Sequence, residues 1–290
     1  MNRSIFDRIL VPLDGSALAE AILSQIHRIL SRQDSEVLLV RAVSATRSAE
    51  MESIEVPEIL QSQAARYLQE VAGRLESQGA RVRSIVRLGS AAEVILDVAS
   101  EERATLIALS THGRSGVSRW TLGSVAEKVI RASGVPVLVM RSFAPAAPAF
   151  QRILVPVDTT DPSLEVVGPA LELAQLFGSH VALLHVCDGL ECSIPVPQLT
   201  CAFEKLKKGG VSVEPLMKQG EAALQILEGC REARADLIAM TTHGRSGFSR
   251  WMLGSVTEKV LRSATVPMLI VRPSPVRTGR RARNKERVSL

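Results

Sequence analysis

One stretch of this chain is written twice, and it constrains the fold more than any other feature. Residues 110–131 read STHGRSGVSRWTLGSVAEKVIR, and residues 241–262 read TTHGRSGFSRWMLGSVTEKVLR. A match this long, with its glycines in register, exceeds what helical or strand patterning produces, so the chain is a tandem duplication. In each copy an apolar run, Thr105 to Leu109 and Asp236 to Met240, leads into a polar loop. The loop ends at Gly-Ser, where a helical period begins with Val125, Val129 and Ile130, or Val256, Val260 and Leu261. The pattern predicts a strand, a glycine-bearing loop and a helix N-terminus. First-turn amides have no intrahelical acceptor and carry the positive end of the dipole, so glycines there let an anion come close, phosphate above all.

A second reading uses the same residues. Ser124 is followed three residues on by Glu127, and Ser255 by Glu258, a capping-box spacing that would satisfy those amides with no ligand. Gly113, Gly116 and Gly123, with Gly244, Gly247 and Gly254, would then be turn residues at positive φ. Repetition of the whole loop with its glycines, arginines and Gly-Ser exit favours the anion site.

At 290 residues the chain is long enough for two ordinary domains, each with its own core. Hydrophobic residues make up 46% and aromatics only 3%, so the core is built from Val, Leu, Ile and Ala, as a buried parallel sheet flanked by helices requires. The expected class is α/β. No apolar run approaches membrane-spanning length and no charged-then-apolar leader precedes the first strand, from which a soluble cytoplasmic protein is expected. The net charge of +5 is misleading, because residues 272–290 hold seven Lys/Arg against one Glu, leaving −1 for everything before them. That distribution argues against nucleic acid as a partner of the folded part. The tail itself reads as a disordered solubilising end, with RNA, an acidic partner or membrane headgroups as the alternative contacts. Cys187, Cys192, Cys201 and Cys230 fall in the second half without paired CxxC spacing, and free thiols are expected, with metal or redox chemistry as the other reading of the first three.

Taken in order, residues 8–14 (ArgIleLeuValProLeuAsp) form a strand ending in a carboxylate, and one helix follows with its apolar face at Ala19, Ile22, Leu23, Ile26, Ile29 and Leu30. Val37–Val43 is a strand, 44–58 a polar loop containing Pro57, Ile59–Leu75 a helix, Arg81–Val86 a strand, Ala91–Ser100 a helix and Thr105–Leu109 a strand. After the repeated loop and its helix, residues 134–140 close the first copy. Strands separated by helices need right-handed crossovers and hence a parallel sheet covered on both faces. In such sheets ligands bind beyond the carboxyl ends at the topological switch point, where Asp14 and the 110–124 loop should converge. An Ala/Pro linker, 143–150, precedes residues 152–158 (ArgIleLeuValProValAsp), the restart of the pattern. Pro12 to Gly113 spans 101 positions and Pro156 to Gly244 spans 88, and the shortfall falls at 187–210, where a short helix remains. The resulting division is residues 1–142, a linker at 143–150, residues 151–273 and a tail at 274–290.

ValProLeuAsp before a helix, with ThrHisGlyArgSerGly, nine residues from Gly113 to Gly123 and then Ser124, closely resembles the universal stress protein family. The second half resembles it equally. The resemblance implies two tandem doubly wound α/β domains, each a five-stranded parallel sheet flanked by helices (adenine nucleotide alpha hydrolase-like), paired through their last strands. It implies a nucleotide-dependent stress-response protein that binds ATP, with Mg²⁺ as a companion ion and Asp14 as its ligand. A homodimer and an unidentified protein partner are further expectations, and no membrane partner is expected. Carried over residue by residue, Gly113, Gly123, Ser124 and Val125 line the phosphate and ribose side, Asp14 meets the ribose or metal, and Pro12, Ala42 and Leu109 frame the adenine. The matching second-copy residues are Gly244, Gly254, Ser255, Val256, Asp158, Pro156, Val186 and Met240.

This chain departs from the pattern at the first glycine, which is Ser110 and, in the second copy, Thr241. A hydroxyl there narrows the pocket, and the branched carbon of Thr241 resists unusual dihedrals. AspThrThrAsp, 158–161, also replaces AspGlySer, so the first copy is expected to be the better ATP site. His112 and His243 read as hydrogen-bonded loop residues, Arg114, Arg119, Arg245 and Arg250 as phosphate partners or solvated charges, and Trp120 and Trp251 as loop packing or a partner contact. No catalytic residue is assigned. GxxxxGK[ST] is absent, so the alternatives are a slow ATP hydrolase or nucleotidyl transferase with Asp14 holding Mg²⁺, and a scaffold that has lost nucleotide binding.

Overall fold

Val, Ile and Leu dominate the short strands, and in the structure, a computed structural model, the inner strands are buried on both faces while the two edge strands stay partly exposed. Residues 3–44, 55–111, 122–141, 150–187, 197–242 and 253–273 are described. The repeated loops' interiors, the linker up to residue 149, Cys192 and the basic tail lie outside them. So do Gly113, Gly244, the two loop histidines, the four loop arginines and both tryptophans.

The first half runs β1 (Arg8–Pro12), α1 (Ala17–Glu20), α2 (Leu23–Leu30), β2 (Glu36–Val43), α3 (Glu55–Glu76), β3 (Arg81–Leu88), α4 (Ala91–Glu101), β4 (Leu106–Ser110), α5 (Ser124–Ala132) and β5 (Val137–Met140). The second runs β6 (Arg152–Pro156), a 3-10 turn (Asp161–Val166), α6 (Val167–Phe177), β7 (His180–Cys187), α7 (Pro197–Lys208), β8 (Ser212–Gln219), α8 (Ala222–Glu232), β9 (Leu237–Thr241), α9 (Ser255–Ser263) and β10 (Met268–Val271). Strand order is β3-β2-β1-β4-β5-β10-β9-β6-β7-β8, with every neighbouring pair parallel except β5 and β10. The order reverses between β1 and β4, and again between β6 and β9, which places one switch point in each half.

The two halves do not hold separate sheets. Met268 pairs with Val139, Leu269 with Leu138 and Ile270 with Val137 in antiparallel register, fusing ten strands into one sheet. Alternation along the strands then sorts the core into two layers, each continuous through both halves. Ile9, Val11, Leu138, Ile153, Val155 and Leu269 face the side carrying α2, α3, α6 and α7. Leu10, Val137, Val139, Leu154, Met268 and Ile270 face the side carrying α4, α5, α8 and α9. Further contacts tie the halves on the first side, where the Glu172 carboxylate accepts from Ser4 Oγ (3.0 Å) and Ile5 N–H (2.8 Å) and the Arg32 guanidinium lies 4.8 Å from the Phe177 ring centre.

Some local expectations need correction. The helix expected after Ser16 is two: the backbone stays right-handed at Ala21 and Ile22, but Gln25 N–H bonds Ile22 O at i−3, a tightened turn that separates α1 from α2. The helix expected from Ile59 begins at Glu55, with Pro57 in its first turn, where a missing amide hydrogen leaves no helical bond unmade. Cys187 is disulfide-bonded, against the expectation of free thiols, whereas Cys201 and Cys230 are free. The redox argument concerns persistence in a compartment; whether a bond can form is a matter of where the chain brings two sulfurs. Burial pushes the Cys230 thiol up to about 11, which leaves it unreactive at neutral pH.

Two stability outcomes follow. Leu138 and Leu269 are each 1% exposed and face each other across the seam, so Leu138→Glu buries an unpaired charge between the halves. Chemical denaturation should show a loss of at least about 3 kcal/mol, in one transition that takes both halves together; survival of the second half's signal would refute a shared core. Gln25 is fully buried with neither amide atom partnered. Gln25→Met should therefore raise the unfolding free energy by about 1–3 kcal/mol, measured by urea titration.

Candidate functional site

At the exit of β1 the chain must leave the sheet at its carboxyl edge, and a side chain makes the turn. Leu13 N–H bonds Val40 O (2.8 Å), and Asp14 Oδ1 then accepts from Ser16 N–H (2.9 Å) and Ser16 Oγ (2.7 Å). Ser16 Oγ in turn accepts from Ala19 N–H (3.1 Å), capping α1. Gly15 sits at φ 85°, where a side chain would be strained. The second half builds the same turn from different residues. Val157 N–H bonds Leu184 O (2.8 Å), and Asp158 Oδ1 accepts from Thr160 N–H (2.8 Å) and Thr160 Oγ1. Thr159 replaces Gly15 without taking a positive φ, so AspThrThrAsp keeps the carboxylate in its turn rather than disturbing the strand exit.

The other wall is the helix start. Gly123 is the N-cap of α5 and Gly254 that of α9, each donating to a strand-end carbonyl: Thr111 O at 3.0 Å and Thr242 O at 2.9 Å. No side chain caps either helix, so the capping-box reading fails. Ser124 and Ser255 are already the first helical residues, while Glu127 pairs with Arg131 and Glu258 with Arg262 at i+4. Nearby cations outcompete a backbone amide for those carboxylates. Ser110 and Thr241 are the last residues of β4 and β9, in ordinary extended backbone, so the concern that Thr241 must adopt unusual dihedrals does not apply. Thr257 adds a brace the first half lacks, its Oγ1 donating to Thr241 O at 2.9 Å where Ala126 stands in the first half.

Between these walls in the second half lies a cavity of about 310 Å³. Leu184, Val186, Ile226 and Met240 make an apolar floor; Asp158, Ser163, Thr241, Thr242, Ser255 and Thr257 make a polar rim; Pro156, Val157, Ala222, Gly254 and Val256 complete it. Every described second-copy candidate therefore lines one space: Pro156, Asp158, Val186, Met240, Thr241, Gly254, Ser255 and Val256. The first-copy residues Pro12, Asp14, Ala42, Leu109, Ser110, Gly123, Ser124 and Val125 occupy the equivalent strand ends and helix start. Sequence reasoning missed Val157, Ser163, Leu184, Ala222, Ile226, Thr242 and Thr257. Ala222 and Ile226 carried a signal, being four apart on one face of a helix, but which side of the sheet that face meets is set by the crossover.

Beneath the first cleft, on the opposite side of the sheet, Arg41 stacks 5.0 Å from the Tyr67 ring centre, and Glu20 accepts from Tyr67 Oη (2.9 Å) and Arg74 (2.6 Å). Burial first, and then the bond to Glu20, push the Tyr67 phenol up. The second half substitutes a buried His185, whose Nδ1 lies 2.9 Å from Val157 O. Among the described residues no group of three or more His, Cys, Asp or Glu could hold a metal, and no helix is long and apolar enough to cross a membrane.

The chain is a doubly wound α/β protein in which a strand-exit aspartate and a Gly-Ser helix start meet at a topological switch point in each half, the place where such folds take their ligands. The chain is a member of the universal stress protein family, whose family model matches residues 5–141, 149–198 and 196–272. A universal stress protein of Mycolicibacterium smegmatis is 24% identical over 291 residues, covering 91% of this chain and 97% of its own length. One from Methanocaldococcus jannaschii is 32% identical over 140 residues, covering 42% of this chain and 82% of its own. The crystal structure of a universal stress protein from Archaeoglobus fulgidus superposes with a TM-score of 0.77 at 22% identity, over 94% of this chain and 99% of that one, and shows the shared fold.

Gly123 is needed by the protein itself. A Cβ there would stand 2.5 Å from Thr111 O, a backbone atom that cannot swing away. Gly123→Ala should destabilise the chain by about 1–3 kcal/mol, read from denaturant midpoints. An unchanged midpoint would show that the helix start shifts freely.

Proposed function

We propose that this protein is a nucleotide-binding regulator that takes ATP at the switch-point cleft of each half, residues 1–142 and 151–273 being the two binding units. The observation that carries the reading is the second-half cleft, where an apolar floor meets an uncapped helix N-terminus and a carboxylate. Leu184, Val186, Ile226 and Met240 suit a planar base, with Pro156 as a further wall. Asp158 suits ribose hydroxyls, and the amides behind Gly254 and Ser255 suit phosphate. At about 310 Å³ the cavity lies at the lower end of the range for small-molecule sites. An extended triphosphate would reach beyond it along the helix start.

Asp14 and Asp158 each supply one carboxylate, which fits Mg²⁺ carried in on phosphate oxygens with waters completing its octahedron. When bound, the ion would neutralise phosphate charge; the chain's own residues orient the base and hold the phosphates. Ligand binding would change the surface offered to a protein partner. Both halves bring a strand-exit aspartate and a Gly-Ser helix start to their switch points, which supports two sites, and the second is the one with a described cavity.

Ala222→Phe projects a ring into the second cleft from the first turn of α8. Calorimetry with ATP and Mg²⁺ on the full chain should then fall from two sites to one, with the melting temperature held within a few degrees. Two sites of unaltered affinity in that variant would remove the second cleft from the proposal.

A further inference from the structure

Two arginines tie the cleft helix of each half to the other half. β5 ends at Met140 and β10 at Val271, and the next residue in each case is an arginine, Arg141 or Arg272. Arg141 Nη2 donates at 2.7 Å to the carbonyl of Arg262, in the last turn of α9. Arg272 Nη1 donates at 3.3 Å to the carbonyl of Ala132, the last residue of α5. Both bonds cross the β5–β10 seam. The final carbonyls of a helix lack intrahelical donors and carry the negative end of its dipole, so a guanidinium there satisfies an orphan acceptor and complements its charge.

The opposite ends of the same two helices are the cleft ends. Gly254 to Thr257, at the start of α9, line the second-half cavity, and Gly123 and Ser124 stand at the equivalent place on α5. The connection closes into a ring. In the first half Gly123 N–H bonds Thr111 O (3.0 Å) and Thr111 N–H bonds Met140 O (2.9 Å), one covalent step from Arg141. Arg141 holds α9, whose N-cap Gly254 bonds Thr242 O (2.9 Å), while Thr242 N–H bonds Val271 O (2.9 Å), one step from Arg272. Arg272 returns the path to α5. Every link is a covalent bond or a hydrogen bond.

From this ring we infer that Arg141 and Arg272 are positioning residues for the clefts across the seam, Arg141 setting the place of α9 and Arg272 that of α5, so that occupation of one cleft is felt at the other. Each helix has nine residues, too few to be stable alone in water, so its position is decided by what grips it. A ligand that orders one strand end and helix start pays part of the ordering cost for the other, which makes the coupling positive. The coupling rests on the nucleotide reading of the clefts; the grip on the helices does not.

Hydrogen exchange on the full-length chain without nucleotide tests the grip. Arg141→Gln should speed exchange of the α9 amides, residues 258–264, about two- to fivefold, with a smaller change in α5, residues 127–133. Arg272→Gln should give the reverse pattern. Arg141→Lys and Arg272→Lys, which keep a cationic donor, should restore much of the protection. A general structural role would loosen the mutated residue's own half or the whole chain alike, so absence of the crossed pattern overturns the proposal. ATP calorimetry tests the coupling: wild-type sites should show the second event about threefold tighter or more, and the doubly substituted Arg141→Gln, Arg272→Gln chain should bind at two independent sites. Independent sites in the wild type overturn the coupling. A wild-type chain that binds no ATP yet keeps the crossed exchange pattern overturns the nucleotide reading and supports the positioning role.

Discussion

The antiparallel contact between β5 and β10 is what the rest of the structure depends on. It comprises three residue pairs, yet both core layers pass through it. Its strength is mostly apolar. Six buried side chains at about 1.5–3 kcal/mol each outweigh a few backbone hydrogen bonds at about 1 kcal/mol net. Pairing also removes one exposed edge from each half, and the outer edges that remain are guarded differently. On β3, Arg81 pairs with Asp34, Arg83 with Glu102 and Arg87 with Glu101, while β8 carries Pro215 and Lys218. Charges and a proline discourage further strand addition there, so growth of the sheet ends at ten strands.

Duplication has preserved the clefts' geometry while letting their chemistry drift. The strand-exit carboxylate makes the same turn with Ser16 in one half and Thr160 in the other, and Gly15 at positive φ is matched by Thr159 at ordinary φ. On the far side of the sheet, the Arg41–Tyr67–Glu20 cluster of the first half faces a lone buried His185 in the second. These changes alter what supports the cleft walls. The walls differ as well, with Ala42, Leu109, Ser110 and Ala126 of the first half standing where the second has Val186, Met240, Thr241 and Thr257.

Much of this was legible in the residues. Strand and helix order followed from apolar periodicity, and the second-copy cleft residues were named by carrying the universal stress protein motif over position by position; they line one space because a switch point forces strand exits and helix starts together. Four points were not legible, and each depends on what the fold brings, or fails to bring, beside a side chain. Glu127 and Glu258 have capping-box spacing but turn to Arg131 and Arg262. Gly123 reads as room for phosphate, yet Thr111 O already occupies the space beside it. Gln25 sits beside an apolar helix face and ends fully buried without a partner. Nothing in the sequence singles out Arg141, and Arg272 counts there with the basic tail, yet both cap helices more than a hundred residues away.

By itself the sequence determined the elements, their order, the parallel sheet within each half and the residues at its carboxyl edge, because these follow from short-range sterics, side-chain period and the handedness of crossovers. Tertiary structure alone decided the register in which the last strands join ten strands into one sheet, that α5 and α9 are each gripped from the opposite half, and which polar atoms find partners. Those outcomes turn on contacts between residues far apart in the chain. Several donors there compete for one acceptor, and only the assembled geometry selects among them.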